Sequence, residues 1–119
     1  MLFRSLRIER LDHVSIARLV GEIDLANAGA IEDAIAATLD EDRTLGLVAD
    51  LSGVTFLDSS ALRMLFNLHA MLAERGRALV VVVPEGAPFR RVLEITGVAD
   101  AIATCSTVDV AVEMLERRR

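Results

Sequence analysis

A chain of 119 residues, 53% hydrophobic and 26% charged, is sized for one domain spanning 1–119 and is too apolar to be disordered. Its net charge of −5 and its scarcity of aromatics (3%, with no Trp or Tyr) exclude the usual nucleic-acid binder, which needs a cationic surface or stacking platforms. All thirteen basic residues are Arg, so mechanisms that need a lysine, the phosphate-binding P-loop among them, are excluded too.

From Leu2 to Gly21 the apolar positions Leu6, Ile8, Val14, Ile16 and Val20 alternate loosely. They predict two antiparallel strands with a turn near Arg10 to Asp12. Asn27 is placed to cap a helix running to about Leu39, with Ile31, Ile35 and Leu39 facing a core. The acidic cluster Asp40-Glu41-Asp42 ends it as a solvated loop. Leu47 to Leu51 reads as a short strand, and Ser52-Gly53 as a turn.

The spacing predicts a long helix over Ser59 to Arg75, stopped by Gly76. Its apolar face carries Leu62, Leu65, Phe66, Leu68, Met71 and Leu72, and Ser60, Arg63, Asn67 and Glu74 line the other side. Ala78 to Val83 is a β-branched run typical of a strand buried on both faces. A helix over Phe89 to Thr96 ends at Gly97, an edge strand spans Ala101 to Thr104, and Val108 to Glu116 closes the chain as a helix. The Arg117-Arg118-Arg119 tail complements that helix's C-terminal dipole. The fold class is therefore α/β: a single domain with a mixed sheet, opened by an antiparallel hairpin and covered by about four helices.

Cys105 is the sole cysteine, which leaves no disulfide framework or thiolate metal site and suits a reducing compartment. No signal-peptide pattern opens the chain, and the run Ala78 to Val83 is far too short to cross a bilayer. A cytoplasmic protein without membrane insertion or cofactor is expected.

In such sheets, sites form where parallel strands end and helices begin. Two segments qualify, Gly21-Glu22-Ile23-Asp24 and Leu57-Asp58-Ser59-Ser60. The plain reading of Asp58-Ser59-Ser60 is helix capping, in which one side-chain oxygen accepts from an orphan backbone N–H. Capping uses only one such residue, so a hydroxyl is left over. A free serine at a helix N-terminus suits phosphorylation, because the dipole and the backbone N–H groups stabilise added negative charge.

Nucleophilic catalysis lacks support. There is no G-x-S-x-G elbow, and His69 lies ten residues along the same predicted helix, roughly 15 Å from Ser59 at 1.5 Å per residue. His13 and His69 are read as ordinary surface or structural residues. A phosphoaccepting receiver domain is also a small α/β domain, and Asp58 stands about where its aspartate would. A receiver, however, has strictly alternating βα units and a lysine, both missing from this chain.

Three stretches, "GEIDLANAGAIEDAI" from Gly21, "VADLSGVTFLDSSALRML" from Val48 and "FRRVLEITGVADAI" from Phe89, together resemble the STAS domain of bacterial anti-sigma factor antagonists over nearly the whole chain. The resemblance implies a partner switch and no enzyme. The unphosphorylated antagonist binds an anti-sigma factor that is also a serine kinase, and the sigma factor is released. Phosphorylation by the kinase ends binding, and a serine phosphatase restores it.

Carried over by motif, the phosphoacceptor is Ser59. Ser60 supports the helix start, and Asp58 and Asp24 flank the site. The partner-facing surface comprises Asp24, Asn27, Arg63 and Asn67. Ala61 departs from a glycine frequent in the family and stiffens the first turn. The resemblance leaves oligomeric state open. It also admits a second role, as an unphosphorylated accessory or scaffold subunit, for example of a lipid-transport ABC system.

Overall fold

Ten elements follow one another in the computed structural model, which describes residues 5–41 and 44–118. They are β1 (Leu6–Leu11), β2 (Val14–Ile23), α1 (Ala28–Glu41), β3 (Gly46–Leu57), α2 (Ser59–Glu74), β4 (Ala78–Val82), α3 (Arg90–Ile95), α4 (Val98–Ala101), β5 (Ala103–Cys105) and α5 (Val108–Glu116). Leu2 of the expected first strand, Asp42 of the acidic cluster and Arg119 of the tail lie outside the described residues.

The strands form one sheet in the order β1-β2-β3-β4-β5. The opening pair is antiparallel, with Ile8 opposite Ala17, and the other three pairs are parallel. The hairpin turns through Asp12 at a φ of 55°, a left-handed value that Asp tolerates better than most residues. This is the mixed sheet that the sequence predicts.

Alternation along the central strands sorts side chains to two layers. Leu47, Ala49 and Leu51 of β3, with Leu79 and Val81 of β4, face α1, α2, α3 and α4. Val48, Val80 and Val82 point the other way, onto Ala111 and Leu115 of α5. Both strands are thus covered on both sides, as the unbroken apolar run of β4 requires. Each leucine or valine among them, fully buried, contributes about 1.5–3 kcal/mol.

Five helices cover the sheet among the described residues, since Gly97 (φ 85°) follows α3 and begins the short turn α4, which buries Val98. One expectation is corrected. β3 runs to Leu57, well past Leu51, and Ser52-Gly53 is no turn. The β2–β3 register shifts between Arg18/Val20 and between Gly21/Glu22, so β3 absorbs its extra residues as bulges and keeps pairing. A bulge and a turn draw on the same residue types, which is why Gly53 misleads.

Candidate functional site at the start of α2

The bulged extension of β3 decides where the site sits. It carries Leu57 level with Ile23 at the end of β2, so the loops leaving the two strands lie side by side. The Asp58 N–H donates to the Ile23 carbonyl at 3.2 Å, and the chain then turns directly into α2.

Asp58 is the N-cap. Its backbone is extended (φ −111°, ψ −170°), and Oδ1 accepts from the N–H of Ser60 at 2.8 Å and of Ala61 at 3.2 Å. Oδ2 turns to the neighbouring loop and accepts from the Leu25 N–H at 3.1 Å. The part in the helix start expected of Ser60 is therefore played by its backbone N–H and not by its hydroxyl. Asp58 can place one oxygen over the first turn from outside the helix, whereas Ser60, already inside it, contributes its amide.

With the cap supplied by Asp58, neither hydroxyl is needed for it. Ser59 is exposed at the first residue of α2 and makes no side-chain hydrogen bond to any described residue. Its exposure and its place at the positive end of the helix dipole set it apart from Ser60, which is half-buried.

The β2–α1 loop is held by its own polar side chains. Asp24 Oδ1 accepts from the Ala26 N–H at 3.0 Å, a short local turn. Asn27 precedes α1 as expected, but its side chain reaches backward: Oδ1 accepts from the Asp24 N–H at 2.9 Å, and Nδ2 donates to the Glu22 carbonyl at 2.8 Å. Asn27 thus fixes the loop with its side chain, and only its backbone carbonyl serves α1, accepting from the Ile31 N–H at 3.0 Å. Asp24 and Asn27 act first as loop scaffolding.

Arg63 and Asn67 lie one and two turns along α2, on the side of Ser60. Asn67 Nδ2 donates to Glu32 Oε1 of α1 at 3.0 Å, whereas Arg63 is exposed. Between the two helices runs an open groove of about 290 Å³, lined by Leu25, Ala28, Glu32, Ser60, Arg63 and Asn67 among others. The structure so brings Ser60, Arg63 and Asn67 to one groove and sets Asp24 and Asn27 in the loop above it. Sequence reasoning passed over Leu25 and Glu32. Leu25, 82% exposed, had a signal: an isolated large apolar residue in a loop of polar and small ones.

His69 is half-buried on α2, with Nδ1 buried and without a hydrogen-bond partner, and His13 is exposed in the β1–β2 turn. Neither is grouped with Ser59. Among the described residues no cluster of His, Cys, Asp and Glu is arranged to hold a metal ion, and no helix is long and apolar enough to cross a membrane.

An opening hairpin, a parallel remainder and a serine-bearing, aspartate-capped helix start define a STAS-type domain. The STAS domain family matches residues 5–111. The anti-sigma-F factor antagonist RsfB of Mycobacterium tuberculosis is 34% identical over 106 residues, which is 87% of this chain and 84% of that one. A crystal structure of an anti-sigma factor antagonist from Mycobacterium paratuberculosis superposes with a TM-score of 0.83 at 32% identity, covering 93% of this chain and 92% of the other. The Bacillus cell fate determinant SpoIIAA in its phosphorylated form shares the fold, with a TM-score of 0.67 at 17% identity over 92% of this chain and 98% of its own. The chain belongs to the STAS domain family, among the bacterial anti-sigma factor antagonists, which are regulators and not enzymes.

Proposed function

We propose that this protein is a phosphorylation-switched antagonist that binds an anti-sigma factor through the start of α2 and the β2–α1 loop, and that Ser59 is the residue modified. One observation carries the reading: Asp58 alone satisfies the α2 cap, so the adjacent Ser59 hydroxyl stands exposed and uncommitted at a helix N-terminus. A neighbour of the same fold exists in a phosphorylated form, and the related mycobacterial protein is an anti-sigma factor antagonist.

The chemistry follows from charge. A phosphoryl group adds about −1.5 to −2 at pH 7, next to the Asp58 carboxylate. The positive end of the helix dipole accommodates that charge, so the fold stays as it is. A partner surface closing over the same spot meets a desolvated cluster of like charges and is lost. The kinase is the anti-sigma factor itself and the reset is a serine phosphatase, both acting on the protein in the cytoplasm.

The test is to incubate the protein with ATP and the serine kinase anti-sigma factors of its own genome and to map any phosphate by mass spectrometry. Phosphate on Ser59, absent from Ser59→Ala, is the expected result. Stable binding with no phosphate anywhere would replace the switch by an accessory role.

A further inference from the structure

Asp58 does more than cap α2. Its two carboxylate oxygens accept three backbone N–H groups from two separate elements: Oδ1 takes those of Ser60 and Ala61 in α2, and Oδ2 takes that of Leu25 in the β2–α1 loop. The Leu25 amide is thereby pulled toward the start of α2 while its side chain is turned out, 82% exposed. That side chain forms part of the rim of the 290 Å³ groove that Ser60, Arg63 and Asn67 also line. The groove starts one residue from Ser59 and is continuous with the surface assigned above to the partner.

We propose that Asp58 is a latch between the β2–α1 loop and α2, and that it holds Leu25 as the apolar anchor that the anti-sigma factor grips beside Ser59. This rests on the function proposed above and adds a positioning residue and an anchor to it. A carboxylate suits the latch because both of its oxygens accept and neither donates. An amide in its place has a single acceptor oxygen. That oxygen goes to the α2 cap, where it keeps two bonds against one, and the NH2 then faces the Leu25 N–H.

Leu25 meets the description of a binding anchor on physical grounds. An isolated leucine at a loop tip gives nothing to the core, and its burial by a partner is gained only on association. The latch fixes the loop in advance, so less ordering remains to be done when the partner arrives.

The experiment uses the full chain. Amide exchange is followed by NMR in the wild type and in Asp58→Asn, and affinity for the anti-sigma factor that the wild type binds is measured for both proteins and for Leu25→Ser. In Asp58→Asn the Leu25 amide is expected to exchange at least tenfold faster, with core amides of β3 and β4 unchanged, because one oxygen retains the two bonds of the cap. A merely structural role for Asp58 would instead speed exchange across the core. Leu25→Ser is expected to leave melting temperature and exchange unaltered and to weaken binding at least tenfold.

Unchanged exchange at Leu25 in Asp58→Asn overturns the latch, and undiminished binding by Leu25→Ser overturns the anchor. If the wild type binds no anti-sigma factor, the function proposed above fails and the anchor with it. The exchange measurement then still judges the latch by itself.

Discussion

Asp50 sits in the middle of β3 with 5% of its surface exposed, where an unpaired carboxylate would be costly. It is not unpaired. Arg18 Nη1 donates to Oδ2 at 2.8 Å, the Ser52 N–H donates to Oδ1 at 3.0 Å, and Arg18 Nε reaches Glu9 Oε2 at 3.0 Å. The hydrogen bond to Glu9 and the nearby charges of Glu9 and Asp50 raise the Arg18 pKa above its ordinary value against a smaller opposing effect of burial, so the guanidinium stays charged. The network ties β1, β2 and β3 together on a sheet face that carries exposed Val20 and Phe56 farther along. Asp50→Ala is expected to lower stability by about 1–2 kcal/mol in urea denaturation, with the Arg18–Glu9 pair retained. No change in midpoint would mean that water replaces the carboxylate at no cost. Nothing in the sequence announces this network, because pairs 9 and 32 residues apart become neighbours only through strand register.

Elements were legible where a single periodicity ruled. α2 and α5 show unbroken helical spacing bounded by Asp58 and Gly76 or by Thr107, and both helices form where the pattern places them. The β4 run reads as a two-sided strand because both of its faces are apolar. Legibility failed where one residue type serves two geometries. Gly53 serves a bulge and not a turn, and Gly97 both ends α3 and begins α4.

Gly46 illustrates a constraint that spacing does not reveal. A Cβ there would stand 2.5 Å from the Ala78 carbonyl oxygen and 2.6 Å from Leu115 Cδ2, so β3, β4 and α5 close together only over a bare backbone. Gly46→Ala is expected to cost about 2–3 kcal/mol, read as a lowered melting temperature. A melt matching the wild type would show that β4 and α5 can give way there.

At the scale of the whole molecule, the fold gathers two loops at one pole of the sheet and gives that pole a cap, an uncommitted serine and an open groove. The site was legible as a stretch of polar residues before a helix, and Ser59 was singled out by its resemblance to a family motif. The division of labour was not legible: capping by Asp58 and not Ser60, the backward bonds of Asn27, and the display of Leu25 all depend on the pairing of β2 with β3. The same arrangement explains how a charge could change binding and spare the fold, since the Ser59 hydroxyl bonds to no described residue.

The most direct measurement is the affinity of the cognate anti-sigma factor for the wild-type protein and for Ser59→Asp, by titration calorimetry, with circular dichroism as a check on folding. A loss of about a hundredfold, equivalent to roughly 3 kcal/mol, with an unchanged spectrum is the predicted result. Equal affinity of the two proteins would contradict the switch.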